Sequence, residues 1–192
     1  MSAPAASSAS FMRLLRLFRR NRKAAAALEF ALVAPVFLAL LFAILETALM
    51  FFASQVLETI TQQSARMVLT GQAQNSGWDK TAFQTYVCNQ IPALFSCAKI
   101  SVDVRYYTSF SAATFGLPVD SSGNLVSANL QYNPGGPGCT VIVQVFYPWQ
   151  LFVTGLGYNI ANYPNNQRLL IGTAAFKNEP FPGNASAPAS CN

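Results

Sequence analysis

Residues 22–35 read RKAAAALEFALVAP. Two cations precede four alanines and a leucine, and then come Glu29 and Phe30. Between Ala24 and Ala53 only Glu29 and Glu46 carry charge, across 30 residues. At about 1.5 Å per residue, that is enough helix to cross about 30 Å of hydrocarbon. The chain therefore starts with a membrane-spanning helix, and Glu29 stands where such a helix has least use for a carboxylate.

Charge on either side gives the helix a direction. Only 10% of the 192 residues are charged and 52% are hydrophobic, and the deficit is concentrated in this span. The net charge of +5 is equally local. Six of twelve basic residues (Arg13, Arg16, Arg19, Arg20, Arg22, Lys23) precede the span, and none follows until Arg66. That asymmetry predicts an amino terminus in the cytoplasm and argues for orientation, with no nucleic-acid partner. A cleaved secretory signal is excluded by length, because its apolar region runs only about 7–15 residues. No small-x-small site closes the run, which ends at Phe51 and Phe52.

Ahead of the span, residues 11–23 place Phe11, Leu14, Leu15 and Phe18 on one face, a short surface helix on anionic lipid or a plain basic flank. Beyond it, apolar positions recur at Leu49, Ala53, Val56, Ile60 and Met67 with Gln62, Gln63 and Arg66 between, and Gly71 supplies a stop. The spacing predicts a continuous helix over 24–70, apolar all round in its first half and amphipathic in its second. Pro35 permits a kink. About 20 residues from the start reach Ile44 or Leu45, so Glu46 is expected at the outer interface, marking the exit; pairing between subunits is the alternative.

After GQAQNSG (71–77), Trp78, Phe83, Val87 and Ile91 have helical spacing up to Pro92. Residues 99–110 alternate Ile100, Val102, Val104 and Tyr106 against Ser101, Asp103 and Arg105, a half-buried strand. Residues 111–138, with DSSGN and NPGGPG, read as a long surface loop. Residues 139–148 form a second strand, apolar on both faces, and 168–176 a third. The expected fold is α+β: a long helix, one shorter helix and a three- or four-stranded antiparallel sheet. The expected parts are a cytoplasmic basic leader (1–24), the long helix (25–70), an extracytoplasmic head (78–181) and a flexible tail (182–192).

Cys88, Cys97, Cys139 and Cys191 all lie beyond the span, and an even count in an exported domain favours disulfides. Cys88–Cys97 is the local pairing and Cys139–Cys191 the remainder, among three possible connectivities. No histidine and no CxxC occur, so no metal site or cofactor is expected. The soluble acids Glu58, Asp79, Asp103, Asp120 and Glu179 form no paired-carboxylate motif, and no activated nucleophile is visible, so the chain is not expected to be an enzyme. The aromatics Tyr106, Tyr107, Phe110, Phe146, Tyr147 and Trp149 read as core or interface packing, with a ligand face as the alternative. The Asn184-Ala185-Ser186 sequon reads as chance.

An ionised carboxylate in hydrocarbon costs about 2.5–3.5 kcal/mol on insertion scales. In the intact chain, Lys23 and the helix amino terminus would offset that for Glu29. A cut between Ala24 and Ala25 would offset it differently, by placing a new amino group one turn from Glu29, in the same subunit or a neighbour's.

Basic residues, a small residue, four apolar positions, Glu and an aromatic (RK-A-AAAL-EF) resemble the processing site of type IV prepilins. With ALVAPVFLALLF following, the stretch closely resembles TadE-type minor pseudopilins of the tight-adherence (Tad/Flp) pilus, over about residues 20–70. FYPWQLF and AAFKNEPF resemble the carboxy-terminal part of the same pattern, within 139–181. The resemblance implies cleavage between Ala24 and Ala25, with Glu29 and Phe30 read by a prepilin peptidase. Ala24 stands where such sites usually carry Gly. It implies as partners that peptidase, other pseudopilins, the major Flp pilin, inner-membrane platform proteins and membrane lipid. It places the chain in the bacterial inner membrane as a single-pass protein with a periplasmic head, and in the pilus itself. The competing reading is an uncleaved, membrane-anchored receptor or binding module that uses loop 111–138.

Overall fold

A computed structural model describes residues 22–153, 159–182 and 191. The leader up to residue 21, most of the 11–23 surface-helix reading, and residues 183–190 of the tail with the Asn184 sequon lie outside the described residues. The chain divides into two units, Met1–Leu45 and Glu46–Asn192. Helix α1 (Arg22–Leu69) runs through both, and Pro35 lies inside it. Within Met1–Leu45 its apolar side chains, among them Leu28, Phe30, Leu32, Val36 and Phe37, are exposed.

In the second unit α1 changes character. Glu46, Met50, Ala53, Leu57, Ile60, Thr61, Ser64, Ala65 and Val68 form a buried stripe at 3–4 spacing. The helix stops at Gly71, whose φ of 73° favours a residue without Cβ. A four-residue turn, α2 (Gln72–Asn75), leads to α3 (Lys80–Gln90). Asp79 caps α3 by accepting from Ala82 N at 2.7 Å, and Pro92 follows the helix end at Ile91. Phe83 and Val87 of α3 are buried, and Gln90 donates to Ser64 Oγ of α1 at 3.0 Å.

Strands β1 (Ser101–Tyr107), β2 (Thr140–Gln150) and β3 (Gln167–Lys177) form one antiparallel sheet in the order β1-β2-β3. The register aligns Val102 with Val145 and Val104 with Val143, and these four residues face the helices with Val141, Tyr147 and Leu170. This layer of helices on one face of a sheet is the α+β arrangement expected. Tyr147 packs edge-on against Phe95, with ring centroids 4.9 Å apart, so this aromatic belongs to the core.

Loop 111–138 departs from a free surface loop. Its Leu130 packs with Phe146 and Leu169 on the sheet face away from the helices. Asp103 accordingly departs from the half-buried pattern: it is buried, because the loop covers that face. Its carboxylate accepts from Gln131 N at 2.6 Å and from Arg105 Nε at 2.7 Å, while Arg105 Nη2 donates to Asn129 O at 2.6 Å. The hydrogen bond and charge of Asp103 raise the Arg105 pKa above its usual value. At the loop tip, the Asn124 side chain first, then the Asn124, Ser122 and Gly123 amides, hold Asp120 below its ordinary range. That contribution is present at neutral pH and is lost as pH falls through the depressed value.

Cys88 is bonded to Cys97 and Cys139 to Cys191, with Cα separations of 5.5 and 4.6 Å. The first bridge closes 9 residues and the second 52. Chain entropy assigns about 2.5 and about 4 kcal/mol to such loops. The paired Cys139→Ser/Cys191→Ser variant is therefore expected to lower the thermal midpoint more than Cys88→Ser/Cys97→Ser does. Circular dichroism melts of the two variants check the order.

Candidate processing and assembly site

Ala24, Ala25, Glu29 and Phe30 all lie in α1. Four residues separate Ala25 from Glu29, about 6 Å along the axis and little more than one turn. Glu29 and Phe30 are exposed. The most apolar window of the helix has a mean hydropathy of 2.6 and none of it is buried. Among the described residues the Glu29 carboxylate has no ion pair, since Arg105–Asp103 is the one recorded. A carboxylate on an apolar surface without an internal partner takes its compensation from outside the subunit or from the chain's own amino end.

The other two acids of α1 are used internally. Glu46, only 7% exposed, accepts from the backbone N–H groups of Phe152 and Val153 just beyond β2. The expected interfacial exit residue is therefore also the clasp that ties α1 to the end of β2. Glu58 accepts from Thr173 N at 2.9 Å and so occupies a donor on β3, an edge strand. Of the three glutamates on α1, Glu29 alone is left facing outward.

A family model described as TadE-like protein matches residues 24–66. Residues 24–66 are TadE-like. No curated protein and no solved structure matches the chain. The TadE-like stretch thus holds Ala24, Ala25, Glu29 and Phe30 together with both head-clasping acids, Glu46 and Glu58.

The closing NEPF lies outside that stretch and is joined in space to the end of α1 and the turn that follows it. Glu179 N donates to Leu69 O at 2.9 Å, satisfying a carbonyl at the end of the helix. Asn178 is buried and its amide donates to Pro134 O and Gly136 O at 2.9 and 3.0 Å. The Phe181 ring lies over Gly71, where a Cβ would come within 2.3 Å of it. Spacing alone did not reveal these roles; the one signal was a polar Asn directly after an apolar strand.

Glu46→Ala would leave the Phe152 and Val153 amides without their acceptor, at about 1–3 kcal/mol. The expected result is faster hydrogen exchange at those two amides in detergent-solubilised protein, with Glu46→Gln intermediate. Unchanged exchange in Glu46→Ala would remove the clasp role.

For ligands, the described part offers little enclosed space. The pocket between loop 111–138 and the sheet, lined by Asp103, Arg105, Tyr107 and Gln144, holds about 40 Å³, well below the roughly 300–1,000 Å³ of ligand sites. A wider concavity of about 620 Å³ is lined by Trp78, Asp79, Lys80 and Tyr132 among others. Burial, and then the Asp79 charge, push the Tyr132 hydroxyl well above its usual pKa, so it stays a neutral phenol there. Among the described residues no three His, Cys, Asp or Glu side chains are grouped as metal ligands.

Proposed function

We propose that this chain is a minor pseudopilin that serves assembly of a Tad/Flp-type pilus. In this reading α1 holds it in the bacterial inner membrane, with the leader in the cytoplasm and the head in the periplasm. A prepilin peptidase removes residues 1–24 between Ala24 and Ala25, reading Glu29 and Phe30. The observation that carries the reading is the TadE-like stretch 24–66, in which Glu29 faces outward from an apolar helix. An outward glutamate at position five of a mature chain is suited to the new amino group at position one. The role is mechanical and not enzymatic: helix packs on helix with other pseudopilins, the major Flp pilin and platform proteins, while the head joins the assembly.

The uncleaved receptor reading retains one supporting observation, the concavity beside Trp78 and Tyr132. Processing separates the two. The protein is extracted from membranes of its own host, with and without the prepilin peptidase, and its intact mass and amino-terminal sequence are read. The pseudopilin reading expects a chain starting at Ala25 only when the peptidase is present. A chain that keeps residues 13–23 in both samples overturns it in favour of a permanent anchor.

A further inference from the structure

The head presents a bare aromatic at the point where it clasps α1. Phe152 is 82% exposed, although the backbone on both sides of it is tied down. Leu151 N donates to Asn166 O at 3.2 Å, and the Phe152 and Val153 amides both donate to Glu46. Three successive N–H groups are thus answered by protein while the side chain between them points away from the core. Backbone whose N–H groups are answered in this way escapes the several kcal/mol that an unpaired amide donor costs in an apolar medium.

The apolar surface continues along α1 past this clasp. Leu49, Phe51 and Phe52 are 53%, 60% and 59% exposed, while Met50 among them and Ala53 after them are buried in the head. Six residues separate Glu46 from Phe52, about 9 Å of helix. A hydrocarbon core of about 30 Å that begins near Ala26 ends near Leu45 or Glu46, and the next layer is the headgroup zone. The clasp therefore falls at the acyl–headgroup boundary, with Phe51 and Phe52 in the zone where aromatic side chains are favoured.

We infer that Phe152 is a lipid-contacting residue of the head: it enters the outer leaflet beside α1, with Glu46 satisfying the amides that go in with it. This rests on the membrane-anchored reading above, and it adds a second contact between protein and bilayer, made by the head. The partner is phospholipid at the acyl–headgroup boundary. Glu46 then has a double use, because the two amides solvate its charge while it satisfies them.

The test uses the full chain in vesicles of phosphatidylethanolamine and phosphatidylglycerol at low protein density. Single Phe152→Cys, Phe37→Cys and Phe115→Cys variants, with the native disulfides intact, carry an environment-sensitive fluorophore. Quenching by nitroxide lipids and by aqueous iodide is then compared. Phe152 is expected to give blue-shifted emission, quenched severalfold more by nitroxide lipid than at Phe115, an exposed residue of loop 111–138. Strong iodide quenching at Phe152, with Phe37 still quenched by lipid, overturns the inference and leaves the anchor standing. Shielding from both quenchers means that a second copy covers Phe152, and overturns it too. If Phe37 itself escapes lipid quenching, the anchor reading fails, and this inference with it.

Discussion

Replacing Glu29 by alanine or valine is expected to stop this subunit from joining a pilus assembly while its head still folds. The helix around Glu29 is apolar and exposed, and among the described residues its carboxylate meets no cation. On the proposed reading its partner is the Ala25 amino group, cationic below a pKa of about 8, of the same or a neighbouring subunit. When assembly draws that region out of contact with water, an amine without its carboxylate remains as a lone buried charge. Removing one member of a buried pair costs about 3 kcal/mol or more, on the order of a hundredfold in the association constant. The measurement is the amount of the subunit co-isolated with sheared pili, alongside the thermal midpoint of the solubilised protein. Wild-type co-isolation for Glu29→Val would remove Glu29 from the assembly step. A lowered midpoint would show damage to the fold instead, an outcome not expected for a residue outside Glu46–Asn192.

Gly172→Ala is expected to destabilise the head by about 2–3 kcal/mol, the upper part of the range for overpacking. Gly172 lies in β3 opposite Val145, on the face that receives α1. A Cβ there would sit 2.2 Å from Thr61 Oγ1 and 2.9 Å from Leu57 O. Thr61 is held in place, since its hydroxyl donates to Leu57 O at 2.8 Å. Helix and strand would have to separate, straining the Glu58–Thr173 hydrogen bond nearby. A fall of about 5–10 °C in the thermal midpoint is expected for a domain of this size. Thr61→Ala in the same chain is expected to recover part of the loss, because it removes the nearest atom and leaves the Leu57 carbonyl. A midpoint within about 1 °C of wild type for Gly172→Ala would mean that α1 does not cross β3 this closely.

Much of the architecture was legible along the chain. The span, the amphipathic continuation to Gly71, the helix before Pro92 and three strands rest on period and punctuation, which are local properties. The boundaries of α1 and of the strands fall within a few residues of expectation. The spacing of Ala25 and Glu29 on α1 was legible for the same reason, since it depends on one turn of one helix. Phe146 and Tyr147 were legible as packing aromatics, because β2 is apolar on both faces.

Three features of the head were not legible. Loop 111–138 looks like a surface loop from its turn residues, yet its Leu130 completes a second cluster and draws Asp103 out of solvent. Glu46 and Glu58 resemble ordinary acids of an amphipathic helix, but their partners are amides more than 100 positions away. Gly172 carries no local signal, yet a Cβ there would collide with Thr61 and Leu57 of α1. By itself the sequence determined the elements, their order and the place of Glu29 on α1, since each depends on residues within a few positions of one another. Only the tertiary structure decided which acids are absorbed by the head and which face the loop covers. Those outcomes turn on distances between residues remote in the chain, which no local period encodes.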